Sequence, residues 1–398
     1  MHAYASDDPM FIALNRMAQR ETGGAAAEFC IGCHAPMALR TGATADGTDI
    51  ESVPRHLRGV TCYFCHVVDA VIENHNGALS LASDGVMLGP IANPVSTEAH
   101  RSGYSALLDG GRPESAAMCG SCHDVVTPAG VHLERTFVEW RESIFATSPV
   151  APLSCNRCHM FGSDDVVATV EGAPPRQFHD HAMPGVDVAL SAWPEKEAQL
   201  AGIDRDLGPS ISTNLCVTPS VAGGAVDVEV ILDNVFAGHA WPSGVTHARR
   251  AWVEVVAYRQ GAVIFESGRV GPDQAVAELD DPNLWLMRTR IFDEQGDETH
   301  FSWRATSIES NLLPPAVTTD PSDPDFFHAR SQVYPVGPEL PDRVTTSVHV
   351  RPVGLEIARE LVGAGEISVD VADQIPTFTL QPSRLEWLAA DGFGCVKD

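Results

Sequence analysis

The sequence predicts an α+β chain of two domains, a loop-rich domain of mainly short helices followed by an immunoglobulin-like β-sandwich. Two observations lead to this prediction. In the first half of the 398 residues, paired cysteines alternate with loops rich in Gly, Pro and Ser, and helical periodicity is confined to short stretches. From about residue 210 the cysteine pairs stop and alternating segments rich in Val and Ile begin. A chain of this length exceeds one typical domain, so we place the domains at 1–205 and 206–398.

Short helices are expected at three places in the first half. They are Pro9–Arg20, Ser102–Leu108 and Leu133–Ala146. In the third of these, Phe137 and Trp140 begin an apolar face that we expect to pack on the core.

Strands in the second half are predicted from period-two alternation, since side chains on a strand point alternately to its two faces. The predicted strands are Ala225–Val235, Ala251–Tyr258, Ala262–Ser267, Thr289–Phe292, Val344–Pro352, Ile367–Val371 and Thr377–Leu380. Arg259, Gln260 and Gly261 separate two of them and indicate a hairpin turn. Cys216 and Cys395 lie near the two ends of this half, and we expect a disulfide between them to close the sandwich.

Charge and hydropathy exclude several classes of protein. Hydrophobic residues make up 44% and charged residues 20%, as in ordinary soluble globular proteins. No apolar run reaches about 18 residues, so no membrane-spanning helix is predicted. The formal net charge of −27 disfavours nucleic acid and anionic lipid, and favours a basic or neutral partner.

Eight of the ten cysteines fall into four C-x-x-C-H motifs. Their cysteines are Cys30 and Cys33, Cys62 and Cys65, Cys119 and Cys122, and Cys155 and Cys158, followed by His34, His66, His123 and His159. We call them motifs 1 to 4. On one helical turn the two thiols reach the two vinyl groups of a porphyrin, and the histidine becomes the proximal ligand of the iron. Zinc fingers need a second ligand pair at a set distance, and redox C-x-x-C motifs need no histidine. Four covalently bound haem c groups are therefore predicted.

Haem attachment of this type takes place in an exported, oxidising compartment. The N-terminal segment MHAYASDDPMFIALN has neither a basic region nor an apolar core typical of a secretory signal. We therefore expect the export signal to be missing from this sequence, and the protein to be periplasmic or at the cell surface.

The second axial ligands must come from the remaining histidines or from methionine. Of the 16 histidines four are proximal, which leaves 12, enough for bis-histidine ligation at every iron. The candidate distal ligands are His100, His181, His179, His75 and His239, with His56 and His132 in reserve. Met37, Met160 and Met183 lie near the motifs, but such methionines more often serve packing.

His239 lies in a tight loop fixed by glycines and a proline, Gly238–Gly244. It could reach a haem iron, or it could bond backbone groups of its own turn. Arg249 and Arg250 could pair with haem propionates, or with local acids.

The motifs and the phrases around them resemble the multihaem cytochromes related to the tetrahaem electron acceptor of hydroxylamine oxidoreductase. The resemblance is carried by GVTCYFCH around Cys62, the run Gly89–Asp124 ending in CGSCHD, TFVEW before motif 4, and CHM at Cys158–Met160. The Gly238–Gly244 loop, followed by Arg249, Arg250 and Trp252, resembles the β-rich domain often fused behind such haem domains. The family implies bis-histidine haems in closely stacked pairs, a location outside the cytoplasm, and electron transfer. It also includes filament-forming members and members with one open catalytic iron.

These observations favour an electron carrier rather than an enzyme, working between a donor and an acceptor outside the cytoplasm. Its expected partners are redox proteins, either other cytochromes or a redox enzyme. Two alternatives stay open. One is a multihaem reductase with an open haem iron. The other is a homo-oligomer or extracellular filament, in which His2 could be donated to a neighbouring subunit.

Overall fold

The computed structural model describes residues 1–166, 171–220 and 225–398. Helices and strands are both abundant, which confirms the α+β class. The chain forms two compact units, the first comprising 1–202 and 301–305, the second 203–300 and 306–398. The sequence did not predict that 301–305 belongs to the first unit.

The first unit consists of short helices joined by loops and small hairpins. Its helices are α1 (Pro9–Thr22), α2 (Ala27–His34), α3 (Pro36–Arg40), α4 (Cys62–His66), α5 (Ala116–Gly120), α6 (Thr136–Glu142), α7 (Ile144–Thr147) and α8 (Cys155–His159). Its strands are β1 (Val68–Val71), β2 (Leu79–Leu81), β3 (Met87–Gly89), β4 (Ser102–Tyr104), β5 (Val125–Val126), β6 (His132–Glu134), β7 (Gly162–Asp165) and β8 (Arg176–His179). Single 3-10 turns cover His2–Tyr4, Ile50–Ser52, Arg55–Leu57 and Pro113–Ser115.

Two helix predictions in this unit need correction. Ser102–Leu108 is not helical, because Ser102–Tyr104 pairs in parallel with Met87–Gly89, and this tertiary pairing outweighs a weak helical pattern. The helix predicted over Leu133–Ala146 begins only at Thr136 and breaks at Ser143. There the Ser143 side chain accepts a hydrogen bond from the Phe145 amide at 3.2 Å and starts a new helix.

The apolar core of the first unit is divided into small clusters that lie against the motif helices. Ile31 of motif 1 belongs to a cluster with Ile50 and Val53. Phe64 of motif 2 packs with Val68 and Leu79. A third cluster contains Ala116, Phe137 and Trp140, with Cys155 of motif 4 packed against it. The expected packing of Phe137 and Trp140 is thus confirmed.

The boundary between the units falls inside α9 (Lys196–Leu207). The strands after it are β9 (Ser212–Pro219), β10 (Val226–Asp233), β11 (Arg250–Arg259), β12 (Ala262–Ser267), β13 (Trp285–Met287), β14 (Thr289–Phe292), β15 (Glu298–Thr299), β16 (Ser307–Ser310), β17 (Arg330–Val336), β18 (Arg343–Arg351), β19 (Phe378–Thr379), β20 (Leu385–Leu388) and β21 (Gly394–Lys397). The helices are α10 (Leu355–Gly363) and α11 (Val369–Ala372), with 3-10 turns at Gly208–Ser210, Val276–Glu278 and Ala389–Asp391. The 3-10 turn Ser302–Arg304 belongs to the first unit.

Two antiparallel sheets form most of the second unit. One has the strand order β17-β10-β9-β21, and the other has the order β12-β11-β18-β19, with β13 on β11 and β20 on β18. Along β10 every second side chain from Val226 to Leu232 is buried, as its alternation predicts. The sheets meet where Phe265 of β12 packs edge to face against Tyr334 of β17, with ring centroids 6.2 Å apart. A small third sheet has the order β15-β14-β16.

One strand prediction is wrong, since the predicted strand Ile367–Val371 runs into α11, which begins at Val369. Ser368 is extended there, and its carbonyl accepts a hydrogen bond from the Val371 amide, so the chain turns into a helix.

The disulfide between Cys216 and Cys395 is confirmed, with sulfur atoms 2.01 Å apart. It does not close two sheets as expected. The two cysteines are direct partners on β9 and β21, neighbours in one sheet, so the bond fixes the last strand of the chain. None of the described helices is long and apolar enough to cross a membrane.

Candidate haem centres

The four motifs share one local geometry. Motifs 1, 2 and 4 lie on single helices, α2, α4 and α8, and motif 3 begins on α5 and ends just beyond it. A helical turn brings the two thiols of each pair to one side, with the following histidine close by. In the part of the chain that the structure describes, none of the eight motif cysteines is in a disulfide.

Each proximal histidine is oriented through Nδ1. His34 Nδ1 donates to the Ala5 carbonyl at 3.3 Å, and His66 Nδ1 donates to the Leu88 carbonyl at 2.6 Å. His159 Nδ1 donates to the Pro184 carbonyl at 2.9 Å. Because Nδ1 donates in each case, Nε2 carries the lone pair that a metal requires, and the hydrogen bond holds the ring in place.

His123 differs from the other three because its Nδ1 faces a carboxylate, Glu134 Oε1, at 3.4 Å. The His123 side chain is 51% accessible, yet enough protein surrounds it that burial alone would lower its pKa. The hydrogen bond and charge of Glu134 outweigh burial and raise the pKa of His123 to about 9. A carboxylate behind a ligand imidazole makes it a stronger donor.

Motif 3 adjoins the other motifs. Its Cys122 thiol interacts directly with Cys33 of motif 1, and its Cys119 thiol interacts directly with Cys155 of motif 4. Cys119 also donates to Asn156 Oδ1 at 3.5 Å. Cys65 of motif 2 is close enough for electrostatic interaction with both Cys119 and Cys122. The four attachment sites are therefore contiguous around motif 3.

Among the predicted distal ligands, His181 lies opposite a proximal histidine. Its ring centroid is 6.2 Å from that of His66, with 30° between the planes. Its Nδ1 donates to the His179 carbonyl at 2.8 Å, which again leaves Nε2 for a metal. With metal–nitrogen bonds of about 2 Å, two imidazoles on one metal have centroids roughly 6 Å apart.

The other candidate distal ligands of the first unit have contacts that do not assign them to a particular proximal histidine. His179 Nδ1 donates to the Met160 carbonyl at 2.8 Å, beside motif 4. His75 is half-buried, with Nε2 3.3 Å from Glu73 Oε2, and it lies near Asp124 after motif 3. His100 lies in an exposed turn whose carbonyl accepts from the Thr97 amide. The reserve candidates His56 and His132 are both exposed.

His239 lies in the second unit, where its Nδ1 donates to the Ala240 carbonyl at 3.0 Å. Its role as an iron ligand stays a prediction. Of the two arginines after it, Arg250 pairs with the local acid Glu356 at 2.6 Å, and Arg249 donates to the Ser243 carbonyl at 2.7 Å. The alternative of a local acid is therefore realised for Arg250, whereas Arg249 bonds a backbone carbonyl.

Sequence reasoning missed His2 as a residue of this centre in its own chain. Its ring centroid is 6.0 Å from that of His123. Burial, together with the nearby His123, lowers the pKa of His2 to about 3. No local motif surrounds His2, so the sequence carried no signal for this contact.

The donor set fits covalently bound haem. The motif helices bring the thiols together, all four proximal rings are held through Nδ1, and two ring pairs have the spacing of imidazoles on one metal. In the described residues, no group of three or more His, Cys, Asp or Glu side chains could hold a bare metal ion.

Comparison with known proteins gives one structural likeness. No protein-family model and no curated protein sequence matches the chain. Among solved structures it is similar to a penta-haem cytochrome c552 from Thermochromatium tepidum, at 20% sequence identity and a TM-score of 0.58. The match covers 88% of this chain and 82% of that chain. That protein is described with five haems, one more than the motifs here. The chain thus has a multihaem cytochrome c-like fold.

Proposed function

We propose that this protein transfers electrons through four covalently attached c-type haems, mostly bis-histidine ligated, between a donor and an acceptor outside the cytoplasm. The observation that carries the proposal is the contiguity of the motifs, since Cys122 interacts with Cys33 and Cys119 interacts with Cys155. Cofactors tethered to neighbouring sulfur atoms lie close to one another, as a chain of redox centres requires.

The residues of the chain have separate tasks in this proposal. Each cysteine pair forms two thioether bonds, and the following histidine binds iron through Nε2. The carbonyls of Ala5, Leu88 and Pro184, together with Glu134, hold those rings in place. His181 is the second ligand opposite His66. When bound, each haem iron supplies reversible one-electron oxidation and reduction.

The location and partners follow from chemistry rather than from any contact in the structure. Thioether attachment and the Cys216–Cys395 disulfide both belong to an exported, oxidising compartment. The net charge of −27 favours redox partners with a basic or neutral docking face. The resemblance to the electron acceptor of hydroxylamine oxidoreductase supports the same role.

The first test is to produce the chain with a cytochrome c maturation system and to measure its mass and haem content. We expect four haems, and three in a Cys62→Ala/Cys65→Ala variant. A double Cys→Ala variant that keeps its haem number would contradict the attachment sites.

Electron paramagnetic resonance of the oxidised protein then separates the carrier from the reductase. Signals that are all low-spin and indifferent to cyanide would mean that every iron carries two ligands. A high-spin signal that converts on cyanide addition would mean an open iron, and would favour a multihaem reductase. Sedimentation over a range of protein concentrations tests the filament alternative.

A further inference from the structure

His2 and His123 have the same mutual spacing as the pair His66 and His181. Their ring centroids are 6.0 Å apart, against 6.2 Å for the other pair. The planes of His2 and His123 are nearly perpendicular, at 86°. Two imidazoles that share one metal can adopt any angle about their common axis, so this angle is compatible with joint ligation.

Each of the two rings has a nitrogen that could bind iron. His123 Nδ1 is engaged by Glu134, so its Nε2 is the nitrogen left for iron. His2 Nδ1 is shielded from solvent and has no hydrogen-bond partner in the described structure. Burying an imidazole nitrogen without a partner costs free energy, unless a further group binds that nitrogen.

The backbone around His2 fixes its position. His2 begins a 3-10 turn, and its carbonyl accepts a hydrogen bond from the Val60 amide at 2.9 Å. Gly59 has φ +67°, and a Cβ there would come within 2.6 Å of the Ala3 carbonyl oxygen. Tyr4, in the same turn, is fully buried and hydrogen-bonds Ser191 Oγ at 2.8 Å. The segment carrying His2 is therefore held against its own unit.

We propose that His2 is the second axial ligand of the iron attached through Cys119, Cys122 and His123 of the same chain. This inference rests on the proposed function, because it requires haem at motif 3. It replaces the sequence expectation that His2 serves a neighbouring subunit. The iron at motif 3, the motif that adjoins the other three, would then have two axial ligands, His123 and His2.

The direct test is His2→Ala in the four-haem protein, with spin state as the readout. We expect one iron in four to become high-spin, and free imidazole to return it to low-spin. His300→Ala is the matched control, since His300 lies in the second unit, where its Nδ1 is 3.0 Å from Glu360 Oε2. An unchanged spectrum in His2→Ala, with four haems present, overturns the inference. Fewer than four haems in the unsubstituted chain overturns the proposed function instead.

A second variant tests which haem iron His2 binds. In a Cys119→Ala/Cys122→Ala background, which lacks haem at motif 3, His2→Ala should produce no additional high-spin iron. A new high-spin signal in that background would assign His2 to a different haem and overturn the proposal.

A pair of glycine variants tests the positioning without removing the ligand. Gly59→Ala should displace the His2 turn and give partial high-spin character. Gly42→Ala has a comparable φ of +69° but open space around it, and should leave the spectrum unchanged. Equal spectra for both variants would argue against His2 as a fixed ligand.

Dilution separates ligation within one chain from donation between chains. A monomeric fraction of the unsubstituted protein should keep all irons low-spin. One high-spin iron that appears only on dilution would mean that His2 serves a neighbouring subunit.

Discussion

At the scale of single residues, hydrogen bonds at Nδ1 decide how each motif histidine can act. His66 and His159 use backbone carbonyls, whereas His123 uses the side chain of Glu134. A carbonyl fixes the ring, and a carboxylate also increases its electron donation. A haem bound at motif 3 would therefore have a different electrostatic environment from haems at the other motifs, although all four motifs have the same C-x-x-C-H pattern.

His349 of β18 provides a pH prediction in the second unit. Burial, together with Arg384 and Arg351, lowers its pKa to about 4, and its ring stacks on Trp252 at 5.2 Å between centroids. The unfolded chain takes up a proton near pH 6.5 and the folded chain only near pH 4, so stability falls as pH drops through this window. We expect a loss of about 1–3 kcal/mol.

The measurement is amide hydrogen exchange in β18 between pH 6.5 and pH 4, after correction for intrinsic rates. A His349→Gln variant removes the titrating group and should flatten the dependence. The same pH slope in this variant would show that other groups dominate.

At the scale of elements, the turn between β1 and β2 connects two haem motifs. The Gly77 amide donates to the Ser121 carbonyl at 2.5 Å, and the Asn76 amide donates to the Asp124 carbonyl at 3.2 Å, both at motif 3. On its other side, a Cβ at Gly77 would lie 3.2 Å from the Gly32 oxygen of motif 1. The turn therefore sets the spacing of motifs 1 and 3.

We expect Gly77→Ala to destabilise the protein more than Gly85→Ala. Both glycines have positive φ, +70° and +73°, so both variants incur a strain of roughly 1–2 kcal/mol. Only Gly77 is crowded, because nothing lies within 4 Å of a Cβ at Gly85. Thermal unfolding of the two haem-loaded variants tests this difference. Equal losses of stability in the two variants would show that the neighbours of Gly77 move to accommodate a Cβ without a further loss of stability.

At the scale of the whole molecule, the two units differ in how they form a core. The first unit has small separate clusters, such as Phe64 with Val68 and Leu79. The second has long hydrogen-bonded sheets, in which every second side chain of β10 and most side chains of β11 are buried. Apolar burial is the main stabilising contribution to folding, so we expect the first unit to depend more than the second on bound cofactors.

The chain produced without haem attachment should therefore fold in part. We expect rapid amide exchange throughout α2, α4, α5 and α8, and slow exchange in β10, β11 and β18. Hydrogen-exchange mass spectrometry of the haem-free and haem-loaded chains provides the comparison. Slow exchange in the motif helices of the haem-free chain would contradict cofactor-dependent folding of the first unit.

Several features were determined by the sequence itself, because they depend on local spacing. A C-x-x-C-H motif needs only one helical turn, and β12 and β14 follow from alternation over a few residues. The Cys216–Cys395 bond could be predicted from cysteine count and compartment. Predictions failed at Ser102–Leu108 and Ile367–Val371, where strand pairing or a serine turn outweighed local preference.

Only the tertiary structure decided which histidines face each other and which motifs touch. His66 meets His181, and His123 meets His2, across more than a hundred residues in each case. No periodicity links such distant positions, since their approach depends on how every intervening turn folds. The sequence therefore determined which thiols and imidazole each motif provides, and tertiary packing determined which motifs and which histidines lie next to each other.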